Sequence, residues 1–279
     1  MTPRFACADY TFPLLEHGKV LDLIRMLDFS GVDIGLFEDR SHLQPSTEFA
    51  NIKTNAAKLK SALSARSLTP TDLFLQTSLD FEEYAINHPD KDRRTYARGV
   101  YSSLLGYASA CGCEHVTVLP GVDFGGDAMD RCVEELAWRV DEAKKAGVVL
   151  AVEAHLGSIV PNPPSALRLM QAVPGLTLAL DLSHFIKTGL KTEDCLALAP
   201  YASHVHVRGA RKGEMQTPLS LNEVDHEMLV RELVRINYTG GMCVEYVWQD
   251  WEGNNRVDTI SEGILLRRLL IAKFEKYGG

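Results

Sequence analysis

No stretch of this 279-residue chain approaches the roughly 18 consecutive apolar residues of a membrane-spanning helix, and the opening M-T-P-R-F-A-C-A-D-Y holds no apolar signal core. A cytoplasmic protein without a membrane partner is therefore expected. Positive charge is also short: 29 Lys and Arg against 37 Asp and Glu leave a net charge of −8, which argues against the basic surface that nucleic acid demands. The six cysteines, Cys7, Cys111, Cys113, Cys132, Cys195 and Cys243, lack paired metal-knuckle spacing and read as reduced structural thiols. No Gly-rich phosphate turn follows the first apolar run, where A-D-Y-T-F-P stands instead, which disfavours an open nucleotide-binding sheet. No linker interrupts the chain, so residues 1–279 read as one domain, and a 46% hydrophobic content supplies ample core.

What is present is organised around Gly147 to Gly157, G-V-V-L-A-V-E-A-H-L-G. The run Val148 to Val152 is too short for a helix and rich in β-branched residues, as a parallel strand buried on both faces is. It ends in Glu153, with His155 on the same face two residues on. The grammar recurs downstream. Leu176 to Asp181 ends in Asp181, with His184 just after; Ser203 to Val207 carries His206; Gly241 to Glu245 ends in Glu245. Four successive buried strands thus end in Glu, Asp, His and Glu. If they lie side by side, three carboxylates meet at one point, and they gather there only around a cation.

Earlier strands are read at Phe5 to Asp9, Gly31 to Phe37, Asp72 to Gln76 and His115 to Leu119. Between and after the strands, helices are expected at Leu14–Phe29, Thr47–Arg66, Arg93–Cys111, Ala128–Lys145, from Ser165, Thr192–Leu198, Asn222–Ile236 and Thr259–Tyr277. Eight strands alternating with eight helices give an α/β protein, a single closed (β/α)8 TIM barrel, whose functional face lies at the C-terminal strand ends. All four candidate ligands fall on that face. Carboxylates with imidazole and no thiolate suit Mn²⁺, Mg²⁺, Co²⁺ or Zn²⁺.

The strand ends V-E-A-H, L-D-L-S-H, H-V-H-V and V-E-Y resemble those of the xylose-isomerase-like barrel superfamily, which includes hydroxypyruvate isomerase, inosose dehydratase, ketose 3-epimerases and a DNA-repair endonuclease branch. The likeness spans essentially the whole chain, with G-V-D-I-G in strand two, D-R-R before the third helix and V-L-P-G after strand four. It implies that Glu153, Asp181, His206 and Glu245 are metal ligands, that His155 and His184 lie beside the substrate, and that Glu153 and Glu245 also exchange protons with it. Members of this family often form homo-oligomers. The chain departs from two branches: His206-Val207-Arg208-Gly209 replaces the H-x-K-D of the endonucleases, and Leu156-Gly157-Ser158 stands where ketose 3-epimerases place another Glu.

The chemistry is coherent on its own terms. A divalent ion chelating a carbonyl and a neighbouring hydroxyl stabilises the enediolate left when the α-proton departs, and two carboxylates take and return that proton. The expected activity is a sugar or keto-polyol isomerase or epimerase. A lyase that expels a β-hydroxyl with His155 as acid is the alternative, and a barrel that only binds sugar the third. Arg208, inward-facing like His206, is a candidate substrate contact together with Arg211. Trp248 and Trp251 are candidates to stack on a sugar. His204, one layer below His206, is expected as a hydrogen-bonded core histidine, and Asp33 either lines the site or forms a structural hydrogen bond.

Overall fold

The computed structural model describes residues 3–278. Eight parallel strands close in sequence order, with β1 (Arg4–Ala8) pairing β8 (Gly241–Val244). Between them stand β2 (Gly31–Phe37), β3 (Thr69–Gln76), β4 (His115–Val118), β5 (Val149–Glu153), β6 (Thr177–Asp181) and β7 (Ala202–Val207). The fold is the single (β/α)8 barrel that the alternation of strand and helix patterns predicts. Its outer ring comprises α1 (His17–Met26), α2 (Ile52–Ser64), α3 (Lys91–Cys111), α4 (Ala128–Ala146), α5 (Pro163–Ala172), the single turn α6 (Thr192–Cys195), α7 (His226–Arg235) and α8 (Thr259–Gly278).

Local chemistry sets the boundaries. Gly112 and Gly147 adopt φ of +83° and +69° after α3 and α4, a left-handed turn that only glycine enters cheaply, and each delivers the chain to the next inner strand. Asn162 and Ser165 form a reciprocal cap at the start of α5, with Pro163 in the first turn where its missing N–H is no loss. Several helices differ from the sequence expectation: α1 is three residues shorter at each end than Leu14–Phe29, and three others depart for identifiable reasons. The stretch expected from Thr47 divides into a turn at Pro45–Glu48, a 3-10 segment and then α2, where the Asn51 side chain accepts from Thr54 N and restarts the ladder. Asp225 caps α7 by accepting from Met228 N at 2.8 Å, which starts that helix four residues later than expected. The helix expected at Thr192–Leu198 is one α-turn followed by the 3-10 segment Leu196–Tyr201 around Pro200, which has no N–H to continue a ladder.

Apolar residues occupy two compartments. The larger lies between sheet and helices, where Val20, Leu21 and Ile24 of α1, Leu104 of α3, Leu136 of α4 and Leu266 and Leu270 of α8 pack on outward strand residues such as Val32, Ile34, Val116 and Met242. The smaller lies inside the barrel near its mouth, with Ala6, Ala8, Tyr10, Phe37, Phe74, Cys243 and Val247. Below that layer the interior is polar and largely hydrogen-bonded. His204 Nε2 lies 2.6 Å from Asp33 Oδ2, Thr71 donates to Asp33 Oδ1 at 2.5 Å, and His115 bridges Asp72 Oδ1 and Ser203 Oγ at 2.7 Å each. Outside the sheet, the buried Glu135 accepts two bonds from Arg98 and one from Arg139, joining α3 to α4. All six cysteines are buried and free. No helix among the described residues is long and apolar enough to cross a membrane.

Gly209, just beyond β7, shows how tightly the mouth is packed. A Cβ there would sit 2.4 Å from Thr217 O and 2.9 Å from Tyr246 Oη, while Gly209 N donates to that hydroxyl at 2.9 Å and Thr217 N donates to Gly209 O at 2.8 Å. Overpacking of this kind costs about 1–3 kcal/mol. Gly209→Ala is expected to lower unfolding stability by about that amount in a urea titration; an unchanged midpoint and slope would contradict the packing described.

Candidate metal centre

Glu153 ends β5, Asp181 ends β6, His206 lies one residue from the end of β7, and Glu245 follows β8, its N–H still donating to Val207 O at 3.0 Å. The register sets Asp181 directly beside His206. Because inward positions alternate along each strand, all four side chains point into the barrel, where their ligand atoms converge. All are buried. Each offers one ligand atom, and the four atoms lie within 4.8 Å of one another. A small divalent ion with bonds of about 2.1 Å holds neighbouring ligands roughly 3 Å apart and opposite ones roughly 4.2 Å apart, so the spacing fits such an ion. One acceptor is already stranded: Glu245 Oε2 is buried without a hydrogen bond.

Two cations of the protein's own stand among these carboxylates. His206 Nδ1 lies 2.8 Å from Glu153 Oε1 and 3.6 Å from Glu245 Oε2. The Arg208 guanidinium binds Asp181 Oδ2, comes within 2.8 Å of Glu245 Oε2 without hydrogen-bond alignment, and donates from Nε to Ser183 Oγ at 2.9 Å. The Ser183 N–H in turn donates to Asp181 Oδ1 at 2.8 Å, and the Tyr10 hydroxyl donates to Glu245 Oε1 at 2.8 Å. His184 Nε2 stands 3.7 Å from Asp181 and 3.8 Å from Glu153.

The electrostatics follow from this crowding. Burial pushes Glu153 up to about 7, against the pull of His206. Burial would also raise Asp181, but the Arg208 charge, helped by His184 and His206, holds its carboxyl well below the usual range. His206 is held above the ordinary imidazole value, because Glu245, Asp33 and Glu153 outweigh its burial. Burial lowers His184 to about 3, so it is neutral, and lowers His155 as well.

Beneath the four groups lies Asp33. It is fully buried, accepts from Thr71 and His204, and approaches His206 Nε2 at 3.4 Å. It thus sits under the site and also makes the structural hydrogen bonds, and His204 is a hydrogen-bonded core residue. A carboxylate behind an imidazole fixes which nitrogen faces forward. Asp33, His204 and His206 also bring ligand atoms close together, but Asp33 spends its oxygens on Thr71 and His204.

Above the centre opens a pocket of about 770 Å³, solvent at its mouth included. Its wall contains Glu153, His155, His184, Arg208 and Glu245 of the expected site residues, so these come together with Asp181 and His206 beneath. Trp248 does not join them. It lines a separate surface groove with Phe12, Leu15 and Ile260, whereas Trp251 lines the pocket. Arg211 pairs with Glu214 at the surface and lies outside the pocket lining. The sequence pattern does not single out Tyr10, Phe37, Arg40, Phe74, Gln76 or Lys187, all of which line the pocket. Their shared signal is position, at the end of a strand or in the loop that follows it.

A closed barrel with a buried carboxylate–imidazole cluster at its C-terminal mouth defines a class of metal-site TIM barrels. The sequence matches the xylose isomerase-like TIM barrel family over residues 21–269, and the chain belongs to that family. Solved structures with the same fold include a D-psicose 3-epimerase with D-tagatose from Clostridium cellulolyticum H10 (14% identity, 96% of this chain and 98% of that one, TM-score 0.75). Another is a xylose isomerase-like barrel protein from Mycobacterium smegmatis in complex with magnesium (15%, 94% and 89%, TM-score 0.72). A third is the IOLI protein with a bound zinc atom (14%, 98% and 99%, TM-score 0.74). None of the curated proteins matches the sequence.

Two outcomes are expected. A metal would displace the proton that His206 carries and, below about pH 7, the one on Glu153, so divalent-ion affinity should rise between pH 6 and 8, more steeply below pH 7 than above it. Calorimetry in buffers of different ionisation enthalpy should show protons released; uptake independent of pH would contradict this. Asp33→Asn should weaken ion binding about 10- to 100-fold in equilibrium dialysis while circular dichroism stays unchanged.

Proposed function

We propose that this protein is a divalent-metal-dependent sugar or keto-polyol isomerase or epimerase that moves a proton at the carbon beside a carbonyl. The observation that carries the reading is the cluster of Glu153, Asp181, His206 and Glu245 within 4.8 Å at the floor of an open pocket. Family membership supports it, as do structural neighbours that are ketose 3-epimerases. A cation held by the four side chains supplies Lewis-acid stabilisation of enediolate charge.

The chain's own groups do the rest. Glu153, a carboxylate once an ion has displaced its proton, serves as the base at the α-carbon. Glu245, held by the Tyr10 hydroxyl, serves as the second acid/base group from the far side of the ring, since β5 and β8 are three strands apart. Asp181 and His206 act as ligands only. His184 and His155, both neutral, and Arg208 contact substrate hydroxyls and oxygen atoms. Trp251 takes the stacking role from Trp248, since it lines the pocket and Trp248 does not. The walls of Phe37, Phe74 and Leu119 limit water around the carbanion-like intermediate.

The lyase alternative asks for an acid beside the leaving group. His155 is poorly suited: Nδ1 lies 2.7 Å from Leu156 O, so that nitrogen carries the proton of the neutral ring, and Nε2 offers a lone pair instead. Product mass separates the two, since only a lyase loses water. With metal present, Glu153→Gln and Glu245→Gln should each abolish deuterium exchange from solvent into substrate while the barrel still folds. Full exchange in both variants would refute the proton-transfer roles.

A further inference from the structure

Three cationic side chains line the pocket, and two are neutralised. Arg208 pairs with Asp181 and Glu245, and Lys187 pairs with Glu252. Arg40, in the loop after β2, forms no ion pair among the described residues. Its guanidinium lies 4.7 Å from the Phe37 ring centroid and donates from Nη2 to Gln76 Oε1, while Nε is buried without a partner. A charged group taken out of water needs a counter-charge, and burial here disfavours the charged form of Arg40. The apolar neighbours Phe37 and Phe74 offer none, and the carboxylates whose charge reaches Arg40, Glu245 and Glu153, belong to the candidate metal cluster.

Charge balance sharpens the point. With a divalent ion in the centre, the three carboxylates Glu153, Asp181 and Glu245 are matched by the ion and Arg208 together. Lys187 and Glu252 cancel. Among the groups of the pocket wall and the four-residue cluster one positive charge remains, and it is Arg40. Position matters too: β2, which delivers Arg40, lies diametrically across the ring from β6, which delivers Asp181. A ligand held at the centre that spans the mouth would bring its other end to Arg40.

We propose that the substrate carries an anionic end group, a carboxylate or a phosphate, that docks on Arg40 across the mouth from the metal centre. This rests on the function proposed above and narrows its substrate to acidic sugars or sugar phosphates. The Arg40 guanidinium lines the pocket, and its planar fork of N–H donors suits either oxyanion. The Gln76 amide and the Phe37 ring hold the guanidinium in place for that contact.

The test uses metal-loaded protein and two matched ligand series: dihydroxyacetone, dihydroxyacetone phosphate and hydroxypyruvate; D-fructose, D-fructose 6-phosphate and D-fructuronate. Titration calorimetry should find an anionic member of at least one series binding about 10- to 100-fold more tightly than its neutral parent, the range expected for a charged hydrogen bond. Whether the carboxylate or the phosphate gains more identifies the end group. Arg40→Met should erase the advantage without weakening the neutral ligand, and Arg40→Lys should keep part of it. Equal affinities within both series, an advantage that survives Arg40→Met, or no binding of any anionic member overturns the proposal. Binding is read without turnover, so anion binding with no deuterium exchange would sink the proposed reaction and leave the subsite standing. Exchange with neutral ketoses and no preference for anions would do the reverse.

Discussion

Three carboxylates brought to one buried point repel one another, and that repulsion is the constraint to which the mouth of this barrel answers. Glu153, Asp181 and Glu245 are tolerated because His206 and Arg208 stand among them, and because Tyr10, Ser183 and Asp33 engage the groups from outside. The arrangement is strained in its satisfaction rather than in its backbone: Glu245 Oε2 and His206 Nε2 are buried without hydrogen bonds. A divalent ion held there would offset the repulsion and give Glu245 Oε2 a partner. The stability of the site and its chemistry thus have one origin.

The barrel supplies what a loop-built site would lack. Each acidic or imidazole group leaves a strand end whose neighbours fix its height and direction, so convergence depends on register, not on loop conformation. The polar layer below, in which Asp33, His204, Thr71, Asp72, His115 and Ser203 are mutually bonded, gives the centre a rigid floor. Loops then add what varies among barrels: Arg40, Lys187 and Trp251 reach in from outside the strands and shape the space above the ion site.

How much of this is legible in the sequence depends on which part of the backbone carries each residue. The strand-end groups Glu153, Asp181, His206 and Glu245 are readable, because a run of apolar residues closed by a polar one places its last inward side chain without further information. His204 and Asp33 follow from the same alternation. Loop residues escape it. Trp248 and Trp251 look equivalent in Y-V-W-Q-D-W-E-G, yet the chain turns through left-handed φ at Glu252 and Gly253, and only Trp251 lines the pocket. Arg208 is legible as inward-facing, but its pairing with Asp181 depends on side-chain reach, which spacing does not encode. Helix starts at Asn51 and Asp225 are set by capping bonds within polar stretches where periodicity gives no edge.

The central claim is that four side chains on neighbouring strands hold one divalent ion. Equilibrium dialysis of chelator-stripped protein against Mn²⁺ or Zn²⁺, with bound metal quantified by elemental analysis, tests it most directly. The account predicts one ion per chain, lost when Asp181 and His206 are both replaced by alanine in a chain that still folds. An unloaded native protein at saturating metal, or undiminished binding by the double variant, would contradict it.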